Sequence, residues 1–178
     1  MEKVVFLDRD GVINEKAAPH EYIATWDKFR FLPHTAQAIR LLNETGYKAV
    51  IVSNQRGIAR SMMTMQQVND LHARMCAELA RQGARIDAIY VCPHGEGECH
   101  CRKPEIGLFL QAEEVFEVDK AQSWMIGDSA SDILAGERYG IRTILVNSTE
   151  KFGSVQCEDL LAAVEYILRE EGNKSGAN

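Results

Sequence analysis

Val4-Val5-Phe6-Leu7-Asp8-Arg9-Asp10-Gly11-Val12-Ile13-Asn14 sets two carboxylates one residue apart where an apolar run ends. An unbroken apolar run reads as a strand covered on both faces, as in a parallel sheet, and Gly11 interrupts it. In such sheets ligands bind beyond the carboxyl ends of the strands. Residues i and i+2 share a strand face, so Asp8 and Asp10 serve one site if the strand extends that far. Neighbouring carboxylates raise each other's pKa unless a cation or a shared proton relieves them. The pair points to Mg²⁺, with one acid as nucleophile and the other as proton shuttle.

Outward from this stretch, strands are expected near 3–8, 48–53, 88–92, 123–127 and 142–147, with helical patterns between most of them. One helix starts at Pro33, carries Ala38, Leu41 and Leu42, and stops at Gly46. Thr64 and Gln67 form a capping box ahead of a helix that buries Val68, Leu71, Met75 and Leu79. Further helices are expected over 105–117, 131–139 and 157–171. The alternation predicts an α/β fold, a Rossmann-like parallel sheet flanked by helices on both faces. A single domain over 1–172 follows, with 173–178 a frayed tail.

At 178 residues the chain buries a core without staples, and its 46% hydrophobic and 26% charged content is ordinary for a globular protein. A net charge of −6 argues against a nucleic-acid partner. No apolar run reaches membrane-spanning length, and Met1-Glu2-Lys3 leads straight into the first strand. A cytoplasmic monomer is the expectation. The five cysteines then read as metal ligands or buried thiols rather than disulfides, with Cys76 and Cys157 as buried thiols.

The later strands also end in chemistry. Ser53-Asn54-Gln55 stands at the carboxyl end of the second, Gly127-Asp128-Ser129-Ala130-Ser131-Asp132 at that of the fourth, and Cys101-Arg102-Lys103-Pro104 places two cations before a helix. Between them, Cys92-x-His94 and Cys99-x-Cys101 supply three thiols and an imidazole, a donor set for a closed tetrahedral Zn²⁺ with a structural task. His100 is the alternative imidazole. Because Arg102-Lys103 directly follows Cys101, the zinc loop would hold the lysine in place.

The segments Asp8-Arg9-Asp10-Gly11, Ser53-Asn54, Lys103-Pro104 and Gly127 to Asp132 resemble the four motifs of the haloacid dehalogenase (HAD) superfamily of aspartyl phosphatases, over residues 3–150. The resemblance implies that Asp8 attacks phosphorus and that Asp10 protonates the departing oxygen and then activates water. It implies Mg²⁺ on Asp8, the main-chain carbonyl of Asp10, and Asp128. Ser53 and Lys103 would hold phosphate oxygens, and Asp132 would orient Lys103 or a metal-bound water.

The spacers 14–47 and 54–103 leave no room for a lid domain. The zinc loop, with Ser53-Asn54-Gln55-Arg56-Gly57-Ile58-Ala59-Arg60, resembles the lidless branch of heptose-bisphosphate and histidinol phosphatases, Gly57 to Arg60 favouring the former. In that branch the substrate is a small phosphorylated sugar, with histidinol phosphate the alternative. Arg60 and Arg102 would grip the distal phosphate, and Asn54 and Gln55 would contact the sugar or phosphate at the entrance. Arg56 replaces a usual small residue, and Ser61-Met62-Met63 a glycine followed by aromatics. A zinc-stabilised binding module without turnover is the competing class.

Overall fold

Val4, Val5, Phe6 and Leu7 are all fully buried and form β1 (Val4–Leu7), a central strand of the sheet. The computed structural model describes residues 1–18, 21–151 and 155–175. β1 pairs in parallel with β2 (Lys48–Asn54) on one side and β4 (Trp124–Gly127) on the other. β3 (Ala88–Cys92), β5 (Arg142–Val146) and β6 (Gln156–Cys157) complete a parallel sheet ordered β3-β2-β1-β4-β5-β6. The chain grows outward from β1 in one direction and then in the other. The switch point therefore falls between β1 and β4, where such sheets open a crevice at their carboxyl ends.

Strand alternation distributes the helices. Val5, Leu7, Ile51 and Ile126 pack with α1 (Thr35–Glu44), α2 (Met65–Arg81) and α5 (Leu160–Ser175), through Ile39, Leu42, Leu71, Met75, Val164 and Ile167. Val4, Phe6, Val50, Val52 and Met125 face α3 (Gly107–Glu113) and α4 (Ala130–Tyr139), through Leu108, Phe109, Ala112, Ala135 and Tyr139. Helices thus cover both faces, as the alternation predicts.

The differences lie at element ends. α1 begins at Thr35 rather than Pro33, because His34 takes a left-handed φ of +63° that breaks the helix before Thr35, whose hydroxyl donates to the carbonyls of Ile13 and Leu32. α3 begins at Gly107 rather than 105, because the Gly107 N–H donates to the His100 carbonyl at 3.1 Å and ties the helix start to the preceding loop. A Cβ there would lie 2.4 Å from that carbonyl oxygen, so only glycine fits. α5 begins at Leu160 rather than 157, because Gln156 and Cys157 pair with β5 as β6. It runs through residues 173–175, where a frayed end was expected; 176–178 lie outside the described residues. Cys76 and Cys157 are half-buried free thiols rather than fully buried ones. Among the described residues, the connections 14–47 and 54–103 contain no inserted domain, only a 3-10 turn, α1, α2, β3 and the cysteine loop.

Candidate active site

β1 ends at Leu7, so Asp8 stands just past the strand, its N–H donating to the Ile126 carbonyl of β4 at 3.0 Å. Asp128 lies just past β4, on the other side of the switch point. Gly11 has φ +87°, and a Cβ there would fall 1.9 Å from Asp128 Oδ2, so this turn admits only glycine. The strand does not reach Asp10 as the i, i+2 reading required. A turn closed by Gly11 N–H to the Asn14 carbonyl, 2.7 Å, brings Asp10 to the site instead.

Lys103 ties the acids together. Its ammonium, almost wholly buried, donates to Asp8 Oδ1 (2.9 Å), Asp132 Oδ1 (2.6 Å) and the Val52 carbonyl (2.6 Å). Burial alone would lower its pKa, yet the charges of Asp132 and Asp8 hold it above the usual lysine value. Burial, then the charge of Asp132, pushes Asp8 up to about 7 despite Lys103. Asn54 fixes the lysine backbone at two points, its amide donating to the Lys103 carbonyl and accepting from the Lys103 N–H, both at 3.0 Å. The residue expected to touch substrate thus clamps the lysine.

The carboxylates of Asp8, Asp128 and Asp132 lie within 4.8 Å of one another. Asp132 is fully engaged: Oδ1 takes Lys103, and Oδ2 accepts from the Ser129 hydroxyl (2.7 Å) and from the N–H groups of Asp128 and Ser129 (3.2 Å). Asp128 is not. Lys16 Nζ meets its Oδ2 at 2.5 Å, whereas its Oδ1 is buried with no hydrogen-bond partner. Burial raises the Asp128 pKa, and Lys16 only partly offsets this. An orphaned buried oxygen beside a second carboxyl displaced upward is an arrangement that a hard divalent cation would relieve.

Asp10 has the opposite environment. Arg9 Nη2 donates to both of its oxygens (2.8 and 3.0 Å), Asn14 to Oδ1 (2.9 Å) and Gln55 to Oδ2 (3.0 Å). Burial would raise its pKa, but the Arg9 charge and these hydrogen bonds hold it below the usual value. Gln55 also donates to the buried Ser53 hydroxyl at 2.8 Å, joining Ser53 to Asp10.

Two openings flank these groups and share Asn54. One, of about 600 Å³, is lined by Glu96, His100, Arg102, Lys103 and Ser131 among others. The other, of about 210 Å³, is lined by Asp10, Lys16, Glu21, Tyr22, Gln55 and Arg56. Arg60 is exposed and lines neither, while Arg56 pairs with Glu96 of the cysteine loop at 2.8 Å. The sequence reading passed over Arg9, Lys16 and His72. For Arg9 a signal existed, since a cation between two acids after a buried strand has little access to water.

Cys92, His94, Cys99 and Cys101 place their ligand atoms within 4.8 Å of one another. The Cys92–Cys99 and Cys99–Cys101 sulfurs are 3.5 and 3.3 Å apart, and His94 Nδ1 is 3.3 Å from Cys101. His94, through Nδ1, completes the set. Although burial opposes it, hydrogen bonds from Cys101 and the Arg102 N–H bring Cys99 down to about 7. Arg102 N–H donates to Cys99 at 3.3 Å, linking this cluster to the residue before Lys103.

The family model for HAD-hydrolase-like proteins matches residues 100–167. The D-glycero-beta-D-manno-heptose-1,7-bisphosphate 7-phosphatase of Haemophilus ducreyi is 41% identical over 158 residues, 84% of this chain and 85% of that protein. The protein of the same name from Pasteurella multocida is 39% identical over 176 residues, 94% of this chain and 92% of that one. A crystal structure of D,D-heptose 1,7-bisphosphate phosphatase from B. bronchiseptica, complexed with magnesium and phosphate, has a TM-score of 0.85 at 34% identity, covering 94% of this chain and 99% of that one. Identity of this order over most of the length makes the chain a phosphomonoesterase of the HAD-like hydrolases, belonging to the D-glycero-beta-D-manno-heptose-1,7-bisphosphate 7-phosphatase family.

Proposed function

We propose that the chain removes the 7-phosphate of D-glycero-D-manno-heptose 1,7-bisphosphate through an aspartyl phosphate on Asp8. The observation that carries this reading is the convergence of Asp8, a buried Lys103 ammonium and the orphaned Asp128 oxygen at the switch point of the sheet. Asp8 attacks phosphorus while Lys103 and Ser53 hold phosphoryl oxygens, replacing one difficult hydrolysis by two easier displacements. Asp10 gives its proton to the departing sugar oxygen and recovers one from the water that cleaves the acyl phosphate. It stays ionised in the ligand-free protein; an arriving phosphate dianion raises its proton affinity. Mg²⁺, held by Asp8, the Asp10 main-chain carbonyl and Asp128, would neutralise charge between an anionic nucleophile and an anionic substrate.

Cys92, His94, Cys99 and Cys101 would hold Zn²⁺ as four protein ligands, leaving none for substrate, so its task would be to fix the loop that carries Arg102 and Lys103. Reduced thiols of this kind suit the cytoplasm, and no helix among the described residues is long and apolar enough to cross a membrane.

Arg102, in the wall of the larger opening beside Lys103, is assigned the distal phosphate. Arg60, exposed on the turn that follows β2, is the second candidate for this phosphate. Steady-state kinetics test the assignment. Arg102→Ala should raise KM for the bisphosphate about tenfold or more, the worth of a charge-assisted hydrogen bond, with KM for histidinol phosphate little changed. Wild-type kcat/KM higher for histidinol phosphate than for the bisphosphate would overturn the substrate reading.

A further inference from the structure

We propose that His72 is a positioning residue which, through Arg9, holds the Asp10 carboxylate in the orientation for proton transfer to the leaving group. The inference rests on the phosphatase reading and extends it to a residue on α2, away from the strand ends.

Arg9 has no solvent exposure. Its guanidinium grips Asp10 from behind, Nη2 reaching both oxygens and Nε reaching Oδ1 at 3.3 Å. The remaining nitrogen, Nη1, meets His72 Nε2 at 3.1 Å. A guanidinium is planar, always charged and only a donor, so His72 must accept through a bare Nε2 and carry its proton on Nδ1. Burial, and then the Arg9 charge, draws the imidazole down to about 4, so the ring is neutral at working pH.

The position itself argues for a task. Val68, His72, Met75 and Leu79 follow the i, i+4, i+7, i+11 spacing of the buried face of α2, where a leucine would pack at no polar cost. His72 is 5% exposed and its Nε2 partner is Arg9. Asn14 and Gln55 each reach one Asp10 oxygen, but only Arg9 spans both, so the guanidinium plane sets the carboxylate plane. His72 fixes the outer edge of that plane to a rigid helix.

The test uses kcat/KM, which reports the step in which the leaving group departs, for the heptose bisphosphate and for p-nitrophenyl phosphate. A sugar alkoxide needs the proton from Asp10, whereas p-nitrophenolate leaves nearly without it. His72→Leu should cost the sugar ester about tenfold or more, out of the about 10²–10⁴ that a general acid supplies, and the nitrophenyl ester less than about threefold. His72→Gln, whose amide oxygen can accept from Arg9, should restore most of the difference. Equal losses on both esters in a folded leucine variant, or a glutamine variant as impaired as leucine, would overturn the inference. Ring ¹⁵N shifts of the wild-type protein supply a check that needs no variant: Nδ1 protonated and Nε2 bare is expected, and a protonated Nε2 contradicts it. A wild type inert toward both esters would instead overturn the phosphatase reading, and this inference with it.

Discussion

Asp8→Asn is expected to lower kcat by about 10⁴-fold or more, the scale of losing a nucleophile, while leaving the fold intact. The amide matches the carboxylate in shape but has no charged oxygen to attack phosphorus. Lys103 keeps Asp132 and the Val52 carbonyl as partners, so no buried cation is stranded. Stability should respond in the opposite sense from activity. A carboxyl held up to about 7 in the folded protein, against about 3.9 in an unfolded chain, costs stability once pH rises through that interval. Without Mg²⁺ at pH 8 the asparagine variant should therefore melt at or above the wild-type temperature, and below about pH 4 the advantage should vanish. Thermal melts at the two pH values, beside the turnover assay, check both halves. A variant with more than about one hundredth of wild-type kcat would remove Asp8 from the reaction.

Removal of the Zn²⁺ proposed for the cysteine cluster is expected to have the next largest effect, although that ion would touch no substrate. Lys103 is two residues from Cys101, Arg102 N–H binds Cys99 at 3.3 Å, and the His100 carbonyl holds the start of α3. Without the metal, three thiols and an imidazole would lose the centre that gathers them, and a structural zinc site contributes folding energy to the segment that binds it. A zinc-selective chelator, with millimolar Mg²⁺ retained, should lower kcat about 10- to 100-fold, as loss of supporting contacts does. It should also lower the melting temperature by several degrees, and added Zn²⁺ should reverse both. Unchanged turnover in protein shown to be zinc-free would separate the loop from Lys103 placement.

The elements legible in the sequence are those whose burial is written in consecutive residues. β1 to β5 are short apolar or β-rich runs, and the face-to-face division of the core follows from their alternation. β6 was illegible because its two residues carry no period and it forms only by docking on Leu145 and Val146. The early start assigned to α3 failed because the His100 carbonyl of the preceding loop, rather than helix propensity, sets where that helix begins.

In the site, Asp8, Ser53 and Asp128 stand out in the sequence because each lies at the carboxyl end of an apolar run, and Lys103 because it precedes a helix. Asp10 is positioned by a turn rather than by the extended strand that the i, i+2 spacing requires. Asn54 lines both openings, as a substrate contact would, and its amide also holds the Lys103 backbone at two points, a link across 49 residues that no local pattern reports. The link from Arg9 to His72 spans 63 residues, a separation no local pattern reports. Lys16 lies in a loop with no periodicity, and only the folded chain shows it against Asp128.

The stereochemical course at phosphorus tests the covalent mechanism most directly. A thiophosphate substrate made chiral at the transferred phosphorus by sulfur and two oxygen isotopes, hydrolysed in water of the third isotope, should give inorganic thiophosphate with retained configuration, because attack by Asp8 and then by water each invert it. Inversion would mean that water displaces the sugar in a single step, and Asp8 would not be the nucleophile.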